Sequence, residues 1–437
     1  MKRTFSQYKS DNINSFNNAN ITNITDEGSR VLDWISPQES LKRHHDVSAA
    51  RVAGVGNWVL GTSEFRQWRE NEDGSSADNV LLCSGIPGAG KTFICSLVTD
   101  TLCNSEAGLK VGVACLYCDY RGMSEQDPDN MIRSLLRQFV AGLPDIPEEF
   151  NRKFRKAKGQ LRSHPFHVEE MIDLFQQVLA SFDKSFICID ALDEISVSTV
   201  DTFLWLLERI IKKSSNTRLF ITGRTHIQVN LKRPAMSTKT ITIHPSPDDI
   251  KIYLARRLDN DQEYGAMNPE LREEIVTNIT KKHSEIFLLV TLHIDAILGE
   301  ITIGGRREKL YQMGHSLSDA YTVTIERIKK QGGGRSRSGM AALMWISLAK
   351  RPLKVPELCH ALAVKVGARN LDSANVPSIQ SILGCCLGLV IVDQETSTVR
   401  LIHATLQEYL QSHQDIFDSP HSNIAEVCLS YLNLEIV

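Results

Sequence analysis

"SGIPGAGKTF", residues 84–93, sets the architecture expected of everything around it. Gly85-Ile86-Pro87-Gly88-Ala89-Gly90-Lys91-Thr92 fits the pattern Gly-x-x-x-x-Gly-Lys-Ser/Thr, and Phe93 follows it. The apolar run "NVLLCS" (79–84) before it reads as a buried strand, while Phe93, Ile94, Leu97 and Val98 after it recur at helical spacing. A strand, a glycine-rich loop and a helix in that order form the context in which this pattern cradles phosphate. Three glycines let backbone N–H groups turn inward, and the helix start adds partial positive charge. Lys91 then brings an ammonium to the β and γ phosphates of a nucleotide, and Thr92 brings a hydroxyl to Mg2+. A plain glycine-rich turn would not need Lys-Thr in that register. Residues 85–93 are therefore the nucleotide-binding candidates.

A second stretch, "FICIDALDE" (186–194), reads as a buried strand ending at Asp190. A carboxylate leaving a sheet at that point suits the Mg2+ of a bound nucleotide, so Thr92 and Asp190 are the metal-side candidates. Asp193 and Glu194, three and four residues on, are each placed to orient or deprotonate a water attacking the γ phosphate. The sequence does not choose between them. Arg224 closes "RLFITGR", a strand expected beside that of Asp190, where a guanidinium can sense the γ phosphate or form an ordinary surface ion pair.

Outward from these motifs, "VGVACLYCDY" (111–120), "SFICID" (185–190), "RLFITG" (218–223) and "KTITIH" (239–244) read as further strands. Helical-period segments such as Phe203, Leu204, Leu207, Ile210 and Ile211 separate them. Apolar strands alternating with amphipathic helices imply an α/β core, a parallel sheet covered on both faces. Before the loop, Trp34, Trp58, Phe65 and Trp68 demand a packing surface, so residues 31–75 are expected to dock on that core. After about residue 246 the strands stop and helices dominate through Lys330. "GGGRSRSG" (332–339) reads as a flexible basic break. Beyond it come two helices around Pro352, then strand, turn, strand and helix within "CLGLVIVDQETSTVRLIHATLQEYLQ", the outline of a winged helix. The divisions expected are 1–30, 31–75, 76–245, 246–330 and 331–437.

Composition excludes several classes. A 437-residue chain with 42% hydrophobic and 23% charged residues is long enough for about three globular domains. Its formal charge of −3 gives no general pull toward nucleic acid or anionic lipid. Ten singly scattered cysteines suit a reducing compartment, and Cys115 and Cys118 lie in an apolar run that reads as a strand and not as a metal site. No secretory leader is visible, which points to the cytoplasm, and the Asn-Ile-Thr sequons at Asn20, Asn23 and Asn278 carry no weight there. The greasiest stretch, Ile286 to Leu298, is broken by His293 and Asp295 and is too short to span a membrane. Phe5 to Ser29 is rich in Asn and Ser and reads as a flexible tail.

Taken together, "LDWISP", "GNWVL", GIPGAGKT, "DYRGMSEQDPDNMIRSLLRQ", DALDE, "FITGR", "DDIKIYLARRL", "LAKRPLKVPELCHALAV" and "VRLIHATLQEYL" resemble the NACHT family of signal-transduction ATPases, the NOD-like receptors in their fungal form. The resemblance covers roughly residues 31–437. It implies a nucleotide, ATP or ADP with Mg2+, clasped between a NACHT core, a helical domain and a winged helix. The family's winged-helix histidine, which reaches the β phosphate of ADP, corresponds to His403 in "HATLQEYL". The region of Gly54, Gly56 and Trp58 matches the family's lead-in, near the adenine. Two departures stand out: Ala191 occupies a position where the family often has Gly, and "HSEIFLLV" (283–290) replaces a glycine-containing pattern. Family members begin with an effector domain and continue into sensing repeats; "SPHSNIAEVCLSYLNLEIV" resembles the junction to such repeats, so the chain is either a fragment, a short product, or a member that borrows its sensor. The resemblance implies slow ATP hydrolysis, self-association on activation, an effector or sensor partner and a role in innate immunity or heterokaryon incompatibility. Two rivals remain: a P-loop kinase or phosphatase acting on a small substrate, and a winged-helix DNA-binding ATPase using Lys329, Lys330 and the basic break, although nucleic acid is the less expected partner.

Overall fold

The computed structural model describes residues 26–36, 39–70, 78–104, 109–119, 127–157, 167–224, 227, 230–282, 286–312, 314, 316–393 and 396–434. The chain divides into two compact units, Met1–Ile86 with Gly90–His244, and Pro87–Ala89 with Pro245–Val437.

The first unit opens with three lead-in helices, α1 (Asp26–Ile35), α2 (Glu39–Ala50) and α3 (Ser63–Glu70). Then follow β1 (Val80–Ser84), α4 (Lys91–Cys103), β2 (Val111–Tyr117), α5 (Pro128–Ala141), α6 (Glu148–Ala157), α7 (Val168–Leu179), β3 (Lys184–Asp190), α8 (Val197–Ile211), β4 (Thr217–Gly223) and β5 (Thr238–Thr242). The five strands pair in the order β2-β3-β4-β1-β5, every pair parallel. Because successive strand residues point to opposite faces, a parallel sheet buried on both sides must be apolar throughout. Val80, Leu82, Ala114, Leu116, Ile187, Ile189, Leu219 and Ile221 meet α1, α5, α7 and α8 in one core. On the alternate positions, Trp68 of α3 is fully buried against Phe186 and Phe220, ring centroids 5.4 and 5.9 Å away. Truncating such a side chain costs about 3–5 kcal/mol, so the aromatic lead-in is part of the core.

Helix α2 is held by polar contacts that no sequence pattern announces. His44 is buried, its Nδ1 2.8 Å from the Tyr117 hydroxyl and its Nε2 2.8 Å from Asp100 Oδ1. The Ser48 hydroxyl donates to Asp100 Oδ2 at 3.0 Å, and the Arg51 guanidinium pairs with the same carboxylate. Burial alone would raise Asp100, but His44, Arg51 and Ser48 together hold it below the usual carboxylate range.

The second unit contains α9 (Pro247–Asp259), α10 (Pro269–Lys282), α11 (Phe287–Leu298), α12 (Ile303–Tyr311) and α13 (Leu317–Lys330). Next come α14 (Gly333–Leu348), β6 (Leu353–Lys354), α15 (Val355–Ala363), α16 (Ile379–Cys385), β7 (Val390–Asp393), β8 (Thr398–Leu401), α17 (Ala404–Ser412) and α18 (Pro420–Leu432). β6, β8 and β7 form an antiparallel sheet in that order. Their apolar residues join α13, α14, α15, α16 and α17 in one core, while α9 to α12 build another around Leu254, Ile275, Val290 and Ile294.

Two sequence expectations are corrected. Residues 26–29, placed in the tail on composition, are the first turn of α1. The basic break at 332–339 is the start of α14. Gly332 and Gly333, at φ of +74° and +52°, turn the chain, and the helix then proceeds because packing overrides glycine's low propensity. Gly339 shows why: a Cβ there would lie 2.7 Å from the Cys385 carbonyl oxygen, so only glycine lets α14 approach α16. Helix α11 is a core helix, and no helix among the described residues is long and apolar enough to cross a membrane. Cys115 lies in β2 and Cys118 just past its end; both are buried free thiols.

Candidate nucleotide site

The phosphate loop runs from the end of β1 into α4. At its entry the Gly85 N–H donates to the Gly223 carbonyl at 3.2 Å, and a Cβ on Gly85 would stand 2.7 Å from the Ile243 carbonyl oxygen. Gly88 and Gly90 hold φ of +78° and +96°, values that L side chains resist. Gly90 also serves as the N-cap of α4 with no side-chain cap, which leaves the helix's first amides for an external acceptor. Lys91 folds over the loop, its Nζ donating to the Gly85 and Ile86 carbonyls at 2.9 and 3.0 Å. Burial lowers its pKa, opposed chiefly by the carboxylates of Asp193 and Asp190. Ile86 and Phe93 flank the loop with exposed side chains. The loop's tip, Pro87–Ala89, belongs to the second unit, where Gly88 O accepts the Leu288 N–H at 3.0 Å. Leu288 comes from the segment that departs from the family pattern, of which His283–Glu285 lie outside the described residues.

Strand order explains how the remaining groups assemble. Because β4 lies between β1 and β3, the residues ending β4 stand between the phosphate loop and Asp190. Asp190 is buried, and the Thr222 hydroxyl donates to its Oδ1 at 2.6 Å. Burial raises its pKa, while the Thr222 and Thr92 hydroxyls pull it back. Thr92 and Asp190 are thus brought to one point and offer Mg2+ hard oxygen ligands. Among the described residues no group of three or more His, Cys, Asp or Glu could hold a metal.

The two acids left open by the sequence have different surroundings. Asp193 is tied to Arg224, accepting its backbone N–H on Oδ1 at 3.0 Å and lying 3.2 Å from its Nε through Oδ2. Glu194 is pushed up to about 8, first by burial and then by the charges of Asp119, Asp190 and Asp193, against a smaller opposing effect of Arg224. Between β3 and these acids, Ala191 sits at φ +52°, its N–H donating to the Thr222 hydroxyl at 2.9 Å. The left-handed turn explains why glycine suits this position. Lys91, Thr92, Asp190, Asp193, Glu194 and Arg224 therefore converge in the first unit. Thr222 was missed by sequence reasoning, because only strand pairing reveals that it faces Asp190. In the lead-in, the Trp58 ring lies 5.7 Å from that of His244.

His403 lies in the second unit as the N-cap of α17, its Nδ1 accepting the Thr405 N–H at 3.1 Å.

Residues 54–224 match the family model described as nephrocystin 3, N-terminal, and residues 325–425 match the winged helix domain of GPI inositol-deacylase. No curated protein sequence matches. Among solved structures, the chain is similar to a signal transduction ATPase with numerous domains that carries a tetratricopeptide repeat sensor, from Pyrococcus horikoshii, at 12% identity and TM-score 0.47, covering 88% of this chain and 46% of that one. It is also similar to a Walker-type ATPase of Pyrococcus abyssi (13% identity, TM-score 0.39, 84% and 99% covered) and to the Aeropyrum pernix ORC1 protein solved in complex with DNA (16%, 0.38, 86% and 94%). The chain spans under half the length of the first of these. The nephrocystin 3 N-terminal match falls on the parallel sheet and its phosphate loop, and the winged-helix match falls on the three-stranded antiparallel sheet and the helices around it.

Proposed function

We propose that the chain is a nucleotide-operated signalling switch of the NOD-like receptor type, in which bound ATP or ADP acts chiefly as a catch and hydrolysis is a slow reset. The supporting observation is the resting state of the groups that would act on the γ phosphate. The loop, Lys91, Thr92 and Asp190 are assembled, yet Glu194 is pushed up to about 8 and so keeps its proton at neutral pH, while Arg224 is paired with Asp193. A base that is protonated and a cation already paired favour retention of nucleotide over turnover. In this reading Glu194 positions the water, Asp193 restrains Arg224 until the γ phosphate competes for it, and Thr92 and Asp190 hold Mg2+.

His403 takes the β phosphate of ADP and so favours a closed form, and exchange for ATP releases it. A ligand shifts such an equilibrium only through differential affinity, and about 5.5 kcal/mol moves it from 1:99 to 99:1. Hydrogen bonds to charged groups contribute roughly 1.5–3 kcal/mol each, so a few phosphate contacts suffice. The switch is divided into a lead-in (31–75), a NACHT core (76–245), a helical domain (246–330) and a winged helix (331–437). It acts in the cytoplasm, self-associates when activated, and works with a separate effector or sensor. Denaturing the purified protein and identifying the released nucleotide by mass spectrometry tests this reading. Stoichiometric ADP is expected; a nucleotide-free protein that rapidly phosphorylates an added small acceptor would replace the switch with an enzyme.

A further inference from the structure

Within the second unit, three groups on two helices form one hydrogen-bonded line into His403. The backbone N–H of Thr405 can only donate, and it points at His403 Nδ1 from 3.1 Å. Nδ1 therefore holds a lone pair, and in the neutral ring the proton resides on Nε2. The Thr405 hydroxyl lies 2.9 Å from the same Nδ1, and against a lone pair it must donate. Its oxygen is then left to accept, and the Tyr321 hydroxyl of α13 stands 2.8 Å away to supply the proton. Tyr321 is almost fully buried and packs against Tyr409, whose own hydroxyl is 2.8 Å from that of Thr322. Burial pushes the Tyr321 phenol up to about 12, so it remains a donor throughout the physiological range.

We propose that Tyr321 and Thr405 are positioning residues that hold His403 in the Nε2–H tautomer, so that the ring offers a donor, and not a lone pair, to a nucleotide phosphate. The inference rests on the proposed role of His403 as the phosphate latch. A phosphate oxygen at neutral pH accepts hydrogen bonds, so the opposite tautomer would set a lone pair against it. The N-cap geometry alone orients the ring, and the hydroxyl chain adds a second donor that strengthens the choice. Tyr321 lies more than eighty positions from His403 in sequence, and it enters the site only because α13 and α17 share a core.

The test is nitrogen-15 NMR of the full chain labelled at histidine, with the His403 signals assigned by their loss in His403→Gln. The expected wild-type spectrum shows Nδ1 as an unprotonated nitrogen and Nε2 as a protonated one. Thr405→Val and Tyr321→Phe are expected to raise the share of the Nδ1–H form and to weaken ADP binding by roughly 2- to 10-fold, the worth of one neutral hydrogen bond. Thr405→Ser, which keeps the hydroxyl, is expected to restore both. A protonated Nδ1 in the wild type, or an unchanged tautomer in both hydroxyl-deleted variants, would overturn the proposal. Failure of the latch itself reads differently: His403→Gln would leave ADP affinity unchanged while the wild-type tautomer stayed as described. Should Thr405→Val fail to fold, the wild-type spectrum and Tyr321→Phe decide the matter alone.

Discussion

The starts of α4 and α17 solve the same problem in opposite ways. Every helix begins with amides that its own carbonyls cannot reach. At α4 the cap is Gly90, which has no side chain to offer and holds φ +96°, so the amides remain available for an anion. At α17 the cap is His403, whose ring accepts an amide proton itself. The first start leaves its amides open to an anion, with Lys91 beside it. The second has used an amide internally, through the ring of its own cap. Removing a side chain should accordingly weaken the α4 site by taking away the Lys91 ammonium, and the α17 site by taking away the imidazole.

The largest expected effect is that of Lys91→Ala, which should weaken ATP and ADP binding by about 100-fold or more, since its ammonium makes several charge-assisted contacts at the loop. Isothermal titration calorimetry checks this, and retained micromolar affinity would dissolve the assignment of α4 as the phosphate site. Next, Glu194→Gln should slow single-turnover hydrolysis by about 10²- to 10⁴-fold while leaving nucleotide affinity in place. Undiminished turnover would move the water-positioning role elsewhere. His403→Ala should speed ADP release by roughly tenfold or more, the loss of one hydrogen bond to a charged acceptor, read from fluorescent nucleotide chase.

Glu194 also carries a pH signature. Its folded-state pKa of about 8 lies above the ordinary 4.5. Between those values the folded chain keeps a proton that the unfolded chain has lost, so stability falls as pH rises through that window. Glu194→Gln does not titrate. In the absence of nucleotide its thermal midpoint should therefore exceed that of the wild type by a margin that grows from about pH 5 to about pH 9, where it levels off. A constant margin would show that the carboxyl is not buried as described. The smallest expected effect is that of Ala191→Gly. Relief of the left-handed strain is worth about 1–2 kcal/mol, and glycine's extra chain entropy returns roughly 0.5–1 kcal/mol, leaving a gain of about 1 kcal/mol or less in chemical denaturation.

The first unit was the more legible half of the sequence. Its loop is contiguous, its strands are apolar runs, and Asp190, Asp193 and Glu194 follow one another within five residues. Non-local chemistry was not legible. Thr222 reaches Asp190 because β4 was threaded between β1 and β3, and Asp100 gathers His44 and Ser48 from α2 and Arg51 from just beyond it. Neither arrangement has a spacing rule. The sequence misled at residues 332–339, where glycine and serine content suggested a break and close packing of Gly339 against α16 required a helix. For Arg224 the sequence left γ-phosphate sensing and an ion pair both open; its pairing with Asp193 depends on a strand end meeting a turn, which composition does not encode.

Sedimentation velocity of the full chain, loaded first with ADP and then exchanged into a slowly hydrolysed ATP analogue with Mg2+, tests the central claim most directly. The expected result is a single compact species with ADP and larger assemblies with the analogue, with ADP restoring the small form. One unchanging sedimentation coefficient in both nucleotides, under confirmed occupancy, would contradict the account.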